Sequence, residues 1–159
     1  MAAATEDRLD VFVNEPSFTL MHGPKMADTS DVFYEATLAE LNAAGDEASP
    51  LTHSAGDDDS GVAVVACLQH QEDDPFTGNV QRDRAGKDPR VDLHSGAIIE
   101  FEIADSIGNY GIGDDVYGVD NQTVNASQAD GSSGDYAFVG RVYEVKSSTV
   151  KVFVPGILG

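Results

Sequence analysis

The clearest hydrophobic pattern lies at residues 62–68, a continuous apolar run of strand length containing three valines. Such a run, bounded by polar residues, predicts a strand buried on both faces. Residues 97–103 follow a different rule: Ile99, Phe101 and Ile103 alternate with Glu100 and Glu102. A period of two places the apolar set on one face of a half-buried strand. Further on, Gly113-Asp114-Asp115 reads as a turn into Val116 and Tyr117, and Gly131-Ser-Ser-Gly134 as another before a segment from Tyr136 to Val145. A closing hairpin is expected, with Val139, Tyr143 and Val145 leading through Lys146-Ser147-Ser148 to Val150, Val152 and Val154. Pro155, which has no N–H to give to a ladder, ends it.

Elsewhere the pattern is weaker. Over residues 31–44, Val32, Ala36, Ala39 and Ala43 fit helical spacing, with Ser30 as N-cap and Gly45 beyond the end, although 31–34 could also be a strand. The reading favours a short helix or turn. Residues 45–50 are turn-rich, and residues 56–61, with three consecutive aspartates, form an exposed loop. Residues 69–95, broken by Pro75, Gly78, Gly86 and Pro89, read as a long polar excursion outside the core. Residues 1–30, with Pro16, Gly23 and Pro24, read as an extended N-terminal arm carrying Val11, Phe12, Val13, Phe18 and Leu20. Those apolar residues either pack on a partner by adding to a sheet edge or form an ordinary first strand. The expected fold is therefore all-β, a small β-barrel or β-sandwich over residues 31–159 preceded by the arm.

Composition narrows the class. With 159 residues the chain suits one domain, and it holds no stretch of the ~18–20 apolar residues that span a membrane. Its start shows neither a basic region nor an apolar core of a secretory leader, and the single Cys67 excludes an internal disulfide or a cysteine-built zinc site. The charge changes the picture most: 28 acidic residues against 9 basic ones leave −19. A nucleic-acid partner is not expected, because the only basic cluster, Arg82, Arg84, Lys87 and Arg90, is interleaved with Asp83 and Asp88 and reads as a solvated loop. Self-repulsion on this scale is relieved by concentrated salt. Few lysines and abundant Asp, Ala, Gly and Ser match the proteins of salt-loving organisms.

No motif for chemistry emerges. Asp59-Ser60-Gly61 resembles the nucleophile segment of trypsin-like proteases, and His22, His53, His70 and His94 could supply a base, but the second glycine and the histidine context are missing. A G-x-S-x-G elbow, a P-loop, a dinucleotide fingerprint and an H-E-x-x-H helix are also absent from the sequence. The acidic doublets and triplet at 57–59, 73–74 and 114–115 lack EF-hand spacing and read as solvated, so no metal and no cofactor is expected. Cys67, inside an apolar run, reads as a small buried hydrophobe. Two sequons, at Asn121 and Asn125, match the glycosylation triplet but arise readily by chance. The chain reads as no enzyme.

One resemblance carries functional content. Gly96-Ala-Ile-Ile-Glu-Phe-Glu-Ile103, Ile112-Gly-Asp-Asp-Val-Tyr117, Thr123-Val124, Phe138-Val-Gly-Arg-Val142 and Val150-Lys-Val-Phe-Val154 occur in the order of a family's turn-and-strand motifs. Together with Ala44-Gly45-Asp46 and Gly61-Val62-Ala63, this pattern resembles the capsid decoration, or head-stabilising, proteins of tailed viruses. The likeness spans about residues 44–68 and 96–154; the 69–95 insertion and the arm depart from it. It implies a virion structural protein, on the capsid exterior after a time in the host cytoplasm, that binds the major capsid protein lattice as a homotrimer. Combined with the acidity, the host would be a halophilic archaeon. The arm residues Val11, Phe12, Val13, Phe18 and Leu20 would then contact the capsid. A tail-tube or head-fibre protein is the alternative. A carbohydrate-binding module would instead need an aromatic platform, and the chain has no Trp and scattered tyrosines.

Overall fold

The alternating segments are strands. A computed structural model describes residues 18–19, 23–73, 81–82, 89–132 and 134–156, and nearly all of the regular structure is β. Five strands close a barrel: β11 (Ala97–Ile103), β12 (Asp115–Gly118), β13 (Thr123–Asn125), β14 (Ala137–Val145) and β15 (Thr149–Val154). Around it they follow the order β11-β13-β12-β14-β15, with β11 antiparallel to β15 over six registered pairs and parallel to β13. The expected closing hairpin is β14–β15, whose register shifts between Val142 and Glu144.

A second, curled sheet takes eight strands in the order β1-β10-β6-β4-β5-β2-β9-β8. These are β1 (Phe18–Thr19), β2 (Lys25–Met26), β4 (Thr37–Leu41), β5 (Glu47–Pro50), β6 (Ala63–Cys67), β8 (Gln81–Arg82), β9 (Pro89–Arg90) and β10 (His94–Ser95). A two-stranded pair, β3 (Val32–Phe33) with β7 (Gln71–Glu72), lies beside it. Period-two alternation in β4 and β6 places the sheet between two cores. Leu38, Val64 and Ala66 join the barrel's Ile99, Phe101, Val139 and Val152. Ala39, Leu41, Val65 and Cys67 join Met26, Phe33, Val91 and Leu93 on the other face. Both faces of β6 are covered, which explains its unbroken apolar run.

Two expectations are corrected. Residues 31–44 form strands β3 and β4, not a helix. The helical spacing of Val32, Ala36 and Ala39 is broken by Ala36 itself, whose φ of 57° lies in the left-handed region. What decides the segment is burial on two faces, with Thr37, Leu38, Ala39 and Leu41 all buried. Residues 69–95 are also not wholly an excursion: Gln71, Val91, Leu93, His94 and Ser95 are buried, and Val91 and Leu93 fill the second core. The Gln71 amide serves there as a strand would, accepting from the Asp92 N–H at 2.5 Å and donating to the Asp92 carbonyl at 2.8 Å. Cys67 is buried as expected.

Within the expected arm, two short stretches belong to the eight-stranded sheet: Phe18–Thr19 pairs with β10, and Lys25–Met26 pairs with β5 and β9. Asn121, the acceptor of one sequon, is only 3% exposed, so the folded chain hides it from a glycosyltransferase.

Candidate functional site

Large apolar side chains are driven inward by roughly 1.5–3 kcal/mol each, so a group of them left outside marks a surface with a use. Among the described residues, the exposed large hydrophobics are Ile112 (77%), Tyr143 (58%), Phe153 (42%) and Phe138 (39%). All four lie on one side of the barrel. Phe138 and Tyr143 sit on β14, Phe153 sits on β15, and Ile112 belongs to a turn whose Gly113 N–H donates to the Val142 carbonyl of β14 at 2.8 Å.

Register arranges the barrel's outer face in rows. Ile98, Phe153, Arg141 and Asp115 are cross-strand partners in sequence across β11, β15, β14 and β12, and Glu100, Lys151 and Glu144 form the next row. Tyr117 is opposite Phe138, with ring centroids 6.2 Å apart in an edge-on contact. Phe138, Gly140, Arg141, Phe153 and Pro155 line a notch of about 350 Å³. Gly140 is required at its floor, because a Cβ there would stand 2.0 Å from the Phe153 carbonyl oxygen.

The charge of this face is largely cancelled. Arg141 donates to Asp115 at 3.0 Å, Lys146 to Glu100 at 2.5 Å, and Lys151 pairs with Glu144 at 2.5 Å. Burial alone would push the Glu100 carboxyl up, but hydrogen bonds from Lys146 and Thr149 outweigh it and hold it below its ordinary range. The hydrogen bond to Glu144 raises the Lys151 ammonium, keeping it charged. Three cations thus offset Asp115, Glu100 and Glu144, leaving Glu102 and Asp114, so ion pairs cancel most of this face's charge on a chain of net charge −19.

A separate cluster ties the two sheets together. His53, between β5 and β6, is buried on the ring of Tyr136, with centroids 4.5 Å apart. Its Nδ1 reaches Asp59 at 2.5 Å and its Nε2 reaches Asp130, on the loop before β14, at 2.9 Å. Asp130 also accepts from the Ser132 N–H and hydroxyl, each at 2.6 Å, and from the Gly56 N–H at 3.3 Å. Burial alone would lower the imidazole's pKa, yet its bonds to Asp130 and Asp59 raise it. His53 in turn, with Ser132, holds the Asp130 carboxyl well below the usual range. The two loops touch backbone to backbone: Asp59 N–H donates to the Asp135 carbonyl at 2.7 Å, and a Cβ on Gly134 would fall 2.0 Å from the Asp57 carbonyl oxygen.

This geometry excludes His53 as the base that a protease-like reading of Asp59-Ser60-Gly61 would need. Both ring nitrogens of His53 are occupied by carboxylates, so the imidazole has none left to take a proton from Ser60, whose own N–H is bound to Asp58. Among the described residues no group of three or more His, Cys, Asp or Glu is arranged to hold a metal ion. Several of the acids instead fold turns: Asp58 accepts from the Ser60 N–H, Asp114 from Gly111 and Asp28 from Ser30.

No family model matches the chain, and neither does any curated protein or solved structure.

Of the residues expected to contact a partner, Val11, Phe12, Val13 and Leu20 lie outside the described residues. Phe18 is placed by its backbone alone, opposite Ser95. Phe138, Tyr143 and Phe153 were not singled out from the sequence as partner residues. Their signal was present as the outward positions between Val139, Val142, Val152 and Val154, but the register shift after Val142 breaks strict alternation along β14.

Proposed function

We propose that this protein decorates the capsid of a tailed virus that infects a salt-loving host, binding the outer surface of the major capsid protein lattice as a homo-oligomer and stabilising the head. The observation that carries the reading is the gathering, among the described residues, of the exposed large apolar side chains on one side of a closed barrel where ion pairs cancel most of the charge, within a strongly acidic molecule. A barrel has no free edge there and holds such a surface rigidly. Order of motifs along residues 44–68 and 96–154 supplies the resemblance to decoration proteins. The reading assigns no catalysis and no cofactor, and it places the arm residues Val11, Phe12, Val13, Phe18 and Leu20 at the capsid.

The test uses empty heads of a halophile-infecting tailed virus whose virions contain this chain, in ~2–3 M salt so that repulsion is screened. The full-length protein should co-sediment with the heads to a saturating ratio and raise the temperature at which they burst. A chain lacking residues 1–17 should lose most of that binding. Absence of full-length binding overturns the reading, and rings that stack into tubes without heads turn it to the tail-tube alternative.

A further inference from the structure

We propose that the outer β14–β15 face is the contact between copies of this chain, made head to tail, with the Tyr143–Ile112 end of one copy seated in the Phe138–Phe153–Pro155 notch of the next. This deepens the homo-oligomer part of the reading above, gives the apolar side of the barrel to a second copy and leaves the capsid contact to the arm. Three observations select a second copy as the occupant. First, two copies of a −19 chain repel overall, whereas on this face Arg141, Lys146 and Lys151 are each paired with a carboxylate, so an identical surface can approach with less repulsion. Second, the face carries both halves of a contact. Tyr143 and Ile112 protrude, while five residues back along β14, roughly 17 Å away by strand rise, Phe138 borders a concavity of about 350 Å³.

Third, the charges beside the two halves are opposite. The notch is rimmed by the exposed Arg141, while the protruding end is flanked by the exposed Asp114, with Glu144 beside it held by Lys151. A guanidinium already aligned by Asp115 can take a second carboxylate through its fork of donors. Knob and notch occupy different places on the same subunit, so the contact is heterologous, and a heterologous contact with the right rotation closes a ring.

The experiment is sedimentation equilibrium of the full chain in ~2–3 M sodium chloride. Two variant proteins accompany it: one with a disabled notch, Phe138→Gln with Phe153→Gln, and one with a disabled knob, Tyr143→Ser with Ile112→Ser. All four side chains are exposed, so both should keep the parent's circular dichroism spectrum. Wild type should sediment at a multiple of 16.8 kDa. Each variant alone should fall to the protomer mass, and an equal mixture should recover a dimer and nothing larger, because one good knob then meets one good notch. A wild-type monomer at every concentration overturns the proposal, as do variants that keep the wild-type mass or a mixture that stays monomeric. Head binding separates the two readings: a monomer that still coats heads overturns this contact alone, and an oligomer that ignores heads overturns the capsid reading alone.

Discussion

His53 joins two carboxylates and the ring of Tyr136, and its chemistry sets a pH window. Its pKa is raised from 6.5, so its contribution is fully present below that value and fades as pH rises through the raised native one. Asp130 is depressed from 3.8, so its contribution is present above that value and is lost as pH falls through the depressed one. The latch is therefore strongest in mildly acidic to neutral solution. His53→Gln should lower the melting temperature there, and the gap from wild type should narrow on the alkaline side. Thermal melts across pH 4–10 read this directly, and a gap that does not change with pH would show that His53 acts through packing on Tyr136 alone. Little of this was legible in the sequence. The four histidines looked alike, and Asp130 stands 77 residues from His53, a separation at which only the folded loops reveal a partner.

At the scale of elements, the strands that announce themselves are those with a single rule along their length. β11 alternates and β6 is apolar throughout, and both were readable from the sequence. β4 was not, because Leu38 faces one core while Ala39 and Leu41 face the other, and the small Ala36 and Ala39 imitate helical spacing. The Val91-Asp92-Leu93 stretch was masked by its polar surroundings and by Pro89 and Gly96. Leu93→Ala tests that correction: a buried leucine should cost about 2–5 kcal/mol, whereas a residue in a solvated excursion would stay within about 0.5 kcal/mol. Denaturant titration separates the two. Gly140→Ala tests the β14–β15 contact in the same assay. Its Cβ would meet the backbone carbonyl of Phe153, which cannot move without parting the ladder, so a loss of at least ~1–3 kcal/mol is expected.

Over the whole molecule, the charge of −19 acts on the folded state as a net expanding force, and its response to salt differs from that of the apolar face. Screening is nearly spent by ~1 M, where the Debye length has shrunk to ~3 Å, while burial of apolar surface by excluded salts strengthens steadily beyond that. The melting temperature of the protomer, measured on the knob-disabled variant, should climb steeply up to ~0.5–1 M sodium chloride and then flatten. Exposed ion pairs such as Arg141–Asp115 weaken over the same range, but at ~0–1 kcal/mol each they are too small to reverse the trend. Replacing sodium chloride by sodium sulfate at equal ionic strength distinguishes the two forces. If repulsion dominates, the initial climb coincides in both salts, and only above ~1 M does sulfate pull ahead. A flat response below 1 M would mean that the carboxylates lie too far apart to repel, which would remove the physical basis for placing this protein in concentrated salt.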